Sequence, residues 1–109
     1  MKIDLSGRTA IVTGSTAGIG RATAEGLEGA GASVVVNGRT QARVDEAVRQ
    51  MRAAFPDSAV SGIAADLSTA DGANAFTAEV PDADILVNNV GTAFPVSYTH
   101  LTLPTNREV

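Results

Sequence analysis

A glycine-rich segment at residues 13–20, with the sequence T-G-S-T-A-G-I-G, offers the clearest chemistry in this chain. It follows an apolar run at residues 9–12 and precedes a pattern typical of a helix. Glycines spaced G-x-x-x-G-x-G let the chain turn sharply and let N–H groups at a helix N-terminus approach a pyrophosphate. The segment predicts a dinucleotide site, with a turn that binds nothing as the alternative. The residues expected to contact the ligand are Gly14, Ser15, Thr16, Gly18, Ile19 and Gly20.

The loop at residues 37–40 bears on which dinucleotide is bound. It lies about 20 to 25 residues past the first glycine, where an acidic residue would read the ribose of NAD. The sequence there is N-G-R-T, without an acid. Arg39 suits a 2′-phosphate, because a guanidinium group makes paired, charge-assisted hydrogen bonds, and Asn37 or Thr40 would be a second donor. The loop favours NADP over NAD as the cofactor, and a solvated cation is the other interpretation of Arg39.

Polar residues also follow the third and fourth predicted strands. Asp66, with Leu67 after it, stands where a carboxylate would accept a hydrogen bond from an adenine amino group, or where it would cap a helix or a turn. Asn88, Asn89 and Gly91 end the fourth strand at the switch point, where ligands of open parallel sheets bind. Asparagine is also a common turn residue. We expect all five residues to contact the cofactor.

Four strands and three helices alternate along the chain and would position these residues. The strands are predicted at residues 9–12, 33–36, 60–65 and 85–88, with a helical pattern between each pair. Parallel strands need such crossovers, which are right-handed in nearly all cases. We therefore predict an α/β fold with a parallel sheet in the strand order 3-2-1-4. The first two helices would cover one face, only the third would cover the other, and the fourth strand would be an edge.

The apolar stripes of the helices predict which side of each is buried. Glu28 would face water, and Asp45 would pair with Arg49 on the wet side of the second helix. Ser68 and Asp71 have the spacing of a capping box. Core positions are expected for Ile19, Ala22, Thr23, Gly26, Leu27 and Ala30 in the first helix, for Val44, Ala47, Val48, Met51 and Phe55 in the second, and for Ala73, Phe76, Thr77 and Val80 in the third.

Composition excludes several classes of function. The 109 residues carry a net charge of −4, so no basic surface for nucleic acid or an anionic membrane is expected. There are no cysteines, which excludes disulfides and thiolate metal sites and is compatible with the cytoplasm. No apolar run is long enough to span a membrane. His100, the only histidine, has no local carboxylate partner, so no metal site is expected.

Together these motifs resemble the short-chain dehydrogenase/reductase family over residues 5–94. Residues 13–20 match the family's T-G-x-x-x-G-I-G, Asp66 matches its acidic adenine contact, and residues 88–91 match its N-N-A-G with Val90 in place of alanine. The resemblance implies a Rossmann-like sheet, a nicotinamide cofactor, and hydride transfer to or from a small-molecule carbonyl or alcohol. It also implies a homo-oligomer. Residues 37–39 are similar to those of NADP-preferring 3-oxoacyl-carrier-protein reductases.

The sequence departs from the family's pattern after the N-N-A-G segment. The family uses a tyrosine with a lysine four residues on, but Tyr98, the only tyrosine, has Thr102 at that spacing. We therefore expect no catalytic residue here, and interpret residues 1–94 as the cofactor-binding part of an oxidoreductase, inactive by itself. A nucleotide-binding module without catalysis is the alternative. Residues 95–109 lack the resemblance, and from residue 96 they contain no alanine or glycine; they are expected to be a native interaction tail or an artefact of a truncated reading frame.

Overall fold

The computed structural model describes residues 4–80 and 82–89, and these form one four-stranded parallel sheet with three helices. The strand order is β3-β2-β1-β4, which confirms the order predicted from the sequence. β4 pairs with β1, in the register Ile11 to Leu86. Val90, Gly91, Tyr98, His100 and the boundary at residues 94 and 95 lie outside the described residues. The elements are β1 Thr9–Val12, α1 Gly18–Gly29, β2 Ser33–Gly38, α2 Gln41–Ala54, β3 Val60–Ala64, α3 Ala70–Glu79 and β4 Ile85–Val87.

The two faces of the sheet are covered by different helices. Side chains alternate between the faces along each strand, so neighbouring residues of β1 and β2 enter different cores. One core joins α1 and α2 to the sheet, and the other joins α3 to it, as the right-handed crossovers predict. The first contains Val12, Ala24, Val34, Val36, Val44 and Met51, and the second contains Ile11, Val35, Ala73, Phe76 and Leu86.

The buried face of α1 differs from the predicted one. Gly20, Ala24 and Glu28 are buried, whereas Ile19 is 78% exposed. Ala22 and Gly26 are exposed as well, so the predictions that Ile19, Ala22 and Gly26 are core residues and that Glu28 faces water are wrong. Residues 20, 24 and 28 are four apart and share one side of a helix. Small residues at the first two positions let α1 lie close to the sheet, and this contact turns Ile19 outward.

The buried sides of α2 and α3 are the predicted ones, with two differences in α2. Val44, Ala47 and Met51 are buried as expected, but Phe55 follows the end of α2 and is 42% exposed. Arg49 pairs with Glu46, and not with Asp45, whose carboxylate instead accepts a hydrogen bond from Gln41 at 2.7 Å. No helix among the described residues is both long and apolar enough to cross a membrane.

The N-cap of α3 is Thr69, one residue after the predicted Ser68. The Thr69 hydroxyl accepts a hydrogen bond from the N–H of Gly72 at 3.0 Å. Because Ala70 is the first helical residue, Thr69 occupies the capping position. Ser68 instead turns toward Asp66, which places both residues at the site described next.

Candidate nucleotide-binding site

The turn between β1 and α1 presents an uncapped helix N-terminus. Gly14 and Gly18 have φ values of +57° and +62°, in the left-handed region that glycine adopts without strain. Ala17 at the N-cap has no side-chain oxygen, and the first turn of α1 contains no acid. By contrast, α2 and α3 are capped by Thr40 and Thr69. The first N–H groups of α1 are therefore left for water or an anion.

Glycine at position 20 is required by close packing. A Cβ built there would collide with the carbonyl oxygen of Gly14 and lie 2.5 Å from the amide nitrogen of Asn89. Asn89 donates to that same Gly14 oxygen at 3.2 Å. The start of α1, the turn and the segment after β4 therefore meet at one point, as the glycine spacing predicts.

The side chain of Asn37 links the carboxyl ends of β1, β2 and β3 by hydrogen bonds. Its side-chain oxygen accepts from the N–H of Gly14 at 3.0 Å, and its amide nitrogen donates to the carbonyls of Ile63 at 3.2 Å and Ala65 at 3.3 Å. The residue is buried, with 2% of its surface exposed. Both amide hydrogens are thus used within the fold. This favours a positioning role for Asn37 over the expected contact with a phosphate.

Ser15 belongs to the same framework. It is fully buried, its hydroxyl donates to the carbonyl of Val12 at 2.6 Å, and it accepts from the N–H of Asn37 at 2.9 Å. Its side chain therefore holds the turn against β2, which favours a positioning role for Ser15 over the expected contact with a ligand. By contrast, Thr16 is partly exposed and Ile19 is largely exposed beside the uncapped helix end. Both residues are therefore accessible to a ligand.

Thr13 is a positioning residue that was not predicted from the sequence. Its hydroxyl oxygen lies 3.1 Å from the side-chain oxygen of Asn88 and accepts from the N–H of Asn89 at 2.9 Å. Thr13 is fully buried at the end of β1, so it positions both asparagines beside the turn. A polar residue directly before the first glycine was the available signal. Gly91, the last predicted contact on this side, lies outside the described residues.

A cavity of about 270 Å³ opens beside the turn, close to the lower end of the usual range for small-molecule sites, roughly 300–1,000 Å³. It brings together five predicted site residues from the ends of β1, β2 and β3: Gly14, Asn37, Arg39, Asp66 and Leu67. Its lining consists of Gly14, Asn37, Gly38, Arg39, Ala65, Asp66, Leu67 and Ser68.

Arg39 stands exposed at the rim of this cavity, just before α2. Within residues 4–80 and 82–89, no carboxylate forms a salt bridge with it. The first turn of α2 contains no acid, and Arg43 adds a second cation there. Cations are unfavourable at a helix N-terminus, so an anion bound here would offset both charges. Thr40 caps α2 by accepting from the N–H of Arg43 at 3.3 Å.

Asp66 faces Arg39 across the cavity and is held by Ser68. Its Oδ1 accepts from the Ser68 hydroxyl at 2.6 Å and from the Ser68 N–H at 3.0 Å. These bonds, with a smaller contribution from the charge of Arg39, hold the pKa of Asp66 below its usual range. Asp66 is therefore a turn acceptor, and its carboxylate is ionised at neutral pH.

Replacing Ser68 with alanine is expected to raise the pKa of Asp66 toward its ordinary value of 3.8, because the Ser68 hydroxyl makes the largest contribution. The folded-state pKa is the lower one, so the stability it contributes is present at neutral pH. That stability is lost as the pH falls below 3.8 through the folded-state pKa. NMR titration of the Asp66 carboxyl carbon measures the shift. Ser6→Ala is the matched control, because Ser6 makes the same pair of bonds to Asp4. An unchanged pKa of Asp66 in Ser68→Ala would show that the Ser68 hydroxyl does not lower this pKa.

Known proteins share this arrangement over nearly all of the chain. The uncharacterized oxidoreductase YvaG of Bacillus subtilis is 41% identical over 98 residues, which are 90% of this chain and 37% of that protein. The L-sorbose reductase of Gluconobacter frateurii, solved with NADPH and L-sorbose, superposes with a TM-score of 0.73 at 34% identity, over 92% of this chain and 42% of that one. RhlG of Pseudomonas aeruginosa, solved with NADP, gives a TM-score of 0.75 at 37% identity, over 88% and 39%.

The chain thus spans about two fifths of the length of these relatives. The family model described as short chain dehydrogenase matches residues 8–108. That range includes most of the segment expected to lack resemblance, so the boundary at residues 94 and 95 stays a prediction. Because that model matches well over half of the chain, and the parallel sheet has the strand order that the resemblance implies, the chain belongs to the short chain dehydrogenase family.

Proposed function

We propose that this chain is the NADP(H)-binding part of an oxidoreductase that transfers hydride between nicotinamide and a carbonyl or alcohol substrate. The observation that carries the proposal is an uncapped α1 N-terminus next to a cavity whose rim carries Arg39, a cation without a salt bridge among the described residues. These are two separate places for anionic groups, which suits a pyrophosphate and a 2′-phosphate on one molecule. The NADPH and NADP bound to the two solved relatives support the same cofactor.

The geometry of the described residues suggests a role for each part. The N–H groups of Gly18, Ile19 and Gly20 would hold the pyrophosphate, because α1 begins there without a cap. The adenosine would lie in the cavity next to Leu67 and Asp66, whose carboxylate would accept from the adenine amino group. Further contacts are proposed for Arg39 and Thr40 at the 2′-phosphate, and for Thr16, Asn88, Asn89 and Gly91 along the rest of the cofactor.

The bound nicotinamide would supply the hydride, and this chain would supply binding and orientation. We assign no catalytic residue to it. Tyr98 has Thr102 four residues on where the family's pattern has lysine. In the proposal, the proton donor that the substrate oxygen requires comes from the carboxyl-terminal part of the whole protein. A small carbonyl or alcohol compound is the proposed substrate, and the whole protein is proposed to be a homo-oligomer.

A hybrid protein tests the proposal, with residues 1–89 of this chain followed by the carboxyl-terminal part of the Gluconobacter frateurii L-sorbose reductase. The hybrid is expected to bind NADPH and to oxidise it when L-sorbose is added, measured by the loss of NADPH absorbance. The 109-residue chain alone is expected to show no oxidation. Gly20→Val in the hybrid is the control, because its side chain would occupy the space next to the Gly14 oxygen and prevent binding.

Each outcome of this experiment has a defined meaning. A hybrid that unfolds cooperatively but does not bind NADPH would overturn the proposal. Oxidation by the 109-residue chain alone would contradict the absence of a catalytic residue. A hybrid that binds NADPH without turnover, while the 109-residue chain binds it equally well, would favour the alternative of a nucleotide-binding module without catalysis.

A further inference from the structure

A second cavity of about 390 Å³ lies at the amino ends of the strands, whereas the nucleotide site lies at their carboxyl ends. It is formed where β2 and β3 begin, between the last turn of α1 and the loop that follows α2. Its lining includes Glu28, Phe55, Pro56, Asp57, Ser58 and Ala59, and no residue that lines it is cationic. Nothing in the proposed cofactor site uses these residues.

Glu28 is a buried acid whose partners in the fold are incomplete. It is 3% exposed, and its Oε2 accepts from the Ser58 hydroxyl at 2.5 Å. Its Oε1 is buried and has no hydrogen-bond partner among the described residues. A buried carboxyl oxygen without a donor is unfavourable and rare in folded proteins. The Glu28 side chain borders the cavity, so a donor bound there would supply the partner that this carboxyl lacks.

The other walls of the cavity show what kind of donor would fit. Phe55 is 42% exposed although it is a large aromatic residue, and Pro56 and Ala59 add apolar surface. Asp57 is exposed and places a second carboxylate at the rim. Acidic oxygens next to an accessible aromatic ring suit a planar cation, which can donate to the carboxylates and lie against the ring. An apolar stem would cover the rest of the wall.

We propose that this cavity binds a guanidinium group on an apolar stem. The guanidinium donates to the carboxyl of Glu28 and to Asp57, and stacks on Phe55. This chemistry belongs both to small alkylguanidines and to arginine side chains of a protein partner. The site is independent of the proposed cofactor site, because the two cavities share no lining residue.

The test is a titration of the 109-residue chain with N-butylguanidinium chloride, followed by amide NMR shifts. Saturable shifts are expected at Phe55, Asp57 and Ser58, with butanol and sodium butyrate as neutral and anionic controls that produce none. Glu28→Gln keeps an acceptor for Ser58 but removes the charge, and is expected to weaken binding about tenfold. The matched control is Glu25→Gln on the same helix, whose carboxylate pairs with Arg21 away from the cavity and whose loss should leave binding unchanged.

A second variant tests the site independently, in case Glu28→Gln does not fold. Phe55→Leu keeps an apolar side chain at a position that is 42% exposed, and is expected to weaken binding several-fold through loss of the aromatic face. The absence of saturable shifts in the wild-type chain, equal binding of butanol, or full binding by a folded Glu28→Gln would overturn the proposal. An acetylated, amidated arginine tripeptide distinguishes the source: tighter binding than N-butylguanidinium indicates a protein partner, and equal binding indicates a free guanidine.

Discussion

Replacing Asn37 with alanine is expected to lower the free energy of unfolding by about 2–4 kcal/mol, because a buried polar group left without a partner costs about 1–3 kcal/mol. The change would remove the partners of the Gly14 N–H and of the Ile63 and Ala65 carbonyls, although water entering the gap would satisfy part of them. Denaturant unfolding of the 109-residue chain measures the loss. Asn89→Ala is the control, because its exposed side-chain amide donates a single hydrogen bond, of 3.2 Å, to the carbonyl oxygen of Gly14.

Asn37→Asp is a second test of the hydrogen bonds made by the Asn37 side chain. Aspartate keeps an oxygen for the Gly14 N–H but places its other oxygen against two carbonyls, where Asn37 donates. The loss of stability is expected to exceed that of the alanine variant, since the new carboxylate is buried among acceptors. A stability of Asn37→Ala within about 0.5 kcal/mol of the wild type, the range typical of neutral surface substitutions, would contradict the positioning role.

Replacing Arg39 with alanine is expected to weaken NADPH binding by roughly ten- to a hundredfold and to leave NADH binding nearly unchanged. A hydrogen bond to a charged group contributes about 1.5–3 kcal/mol, and NADH lacks the 2′-phosphate that would receive it. Fluorescence titration of the hybrid protein with both cofactors measures the difference. Arg39→Lys should lose part of the affinity, because an ammonium group keeps the charge without the paired geometry.

Arg43→Ala is the matched control for this prediction. Like Arg39, Arg43 is an exposed cation near the start of α2, but it lies within the first turn and does not line the cavity. We expect its replacement to change NADPH binding much less than Arg39→Ala does. An equal loss of NADPH and NADH affinity in Arg39→Ala would show that Arg39 does not read the 2′-phosphate.

The sequence predicted the order of elements well because strong local patterns specify it. The buried run of β2 and the glycine turn before α1 allow few alternatives, and the right-handed crossover rule then determines which helices share a face. The face of α1 was harder to predict. Its sequence is rich in alanine and glycine, so hydrophobicity differs little between the sides of the helix. The large apolar side chain of Ile19 therefore determines the predicted buried side, although small residues contact the sheet.

The roles of polar residues at the site could be predicted only in part. The apolar run at residues 33–36 predicts a strand that ends at residue 36, which would leave Asn37 in a loop. β2 in fact continues to Gly38, and this extension buries Asn37. Residue type alone does not separate a ligand contact from a framework contact, since an amide serves both equally well. The partners of Asn37, Ser15 and Thr13 lie far away in sequence or depend on the exact turn, so only the folded chain reveals them.

The most direct test of the account is amide NMR of the 109-residue chain titrated with adenosine 2′,5′-bisphosphate and, separately, with adenosine 5′-monophosphate. The two ligands differ only in the 2′-phosphate. We predict saturable shifts at Gly18, Ile19 and Gly20 with both ligands, an added shift at Arg39 with the bisphosphate, and about tenfold tighter binding of the bisphosphate. Shifts that avoid the start of α1, or equal affinity for the two ligands, would contradict the claim that this chain binds NADP.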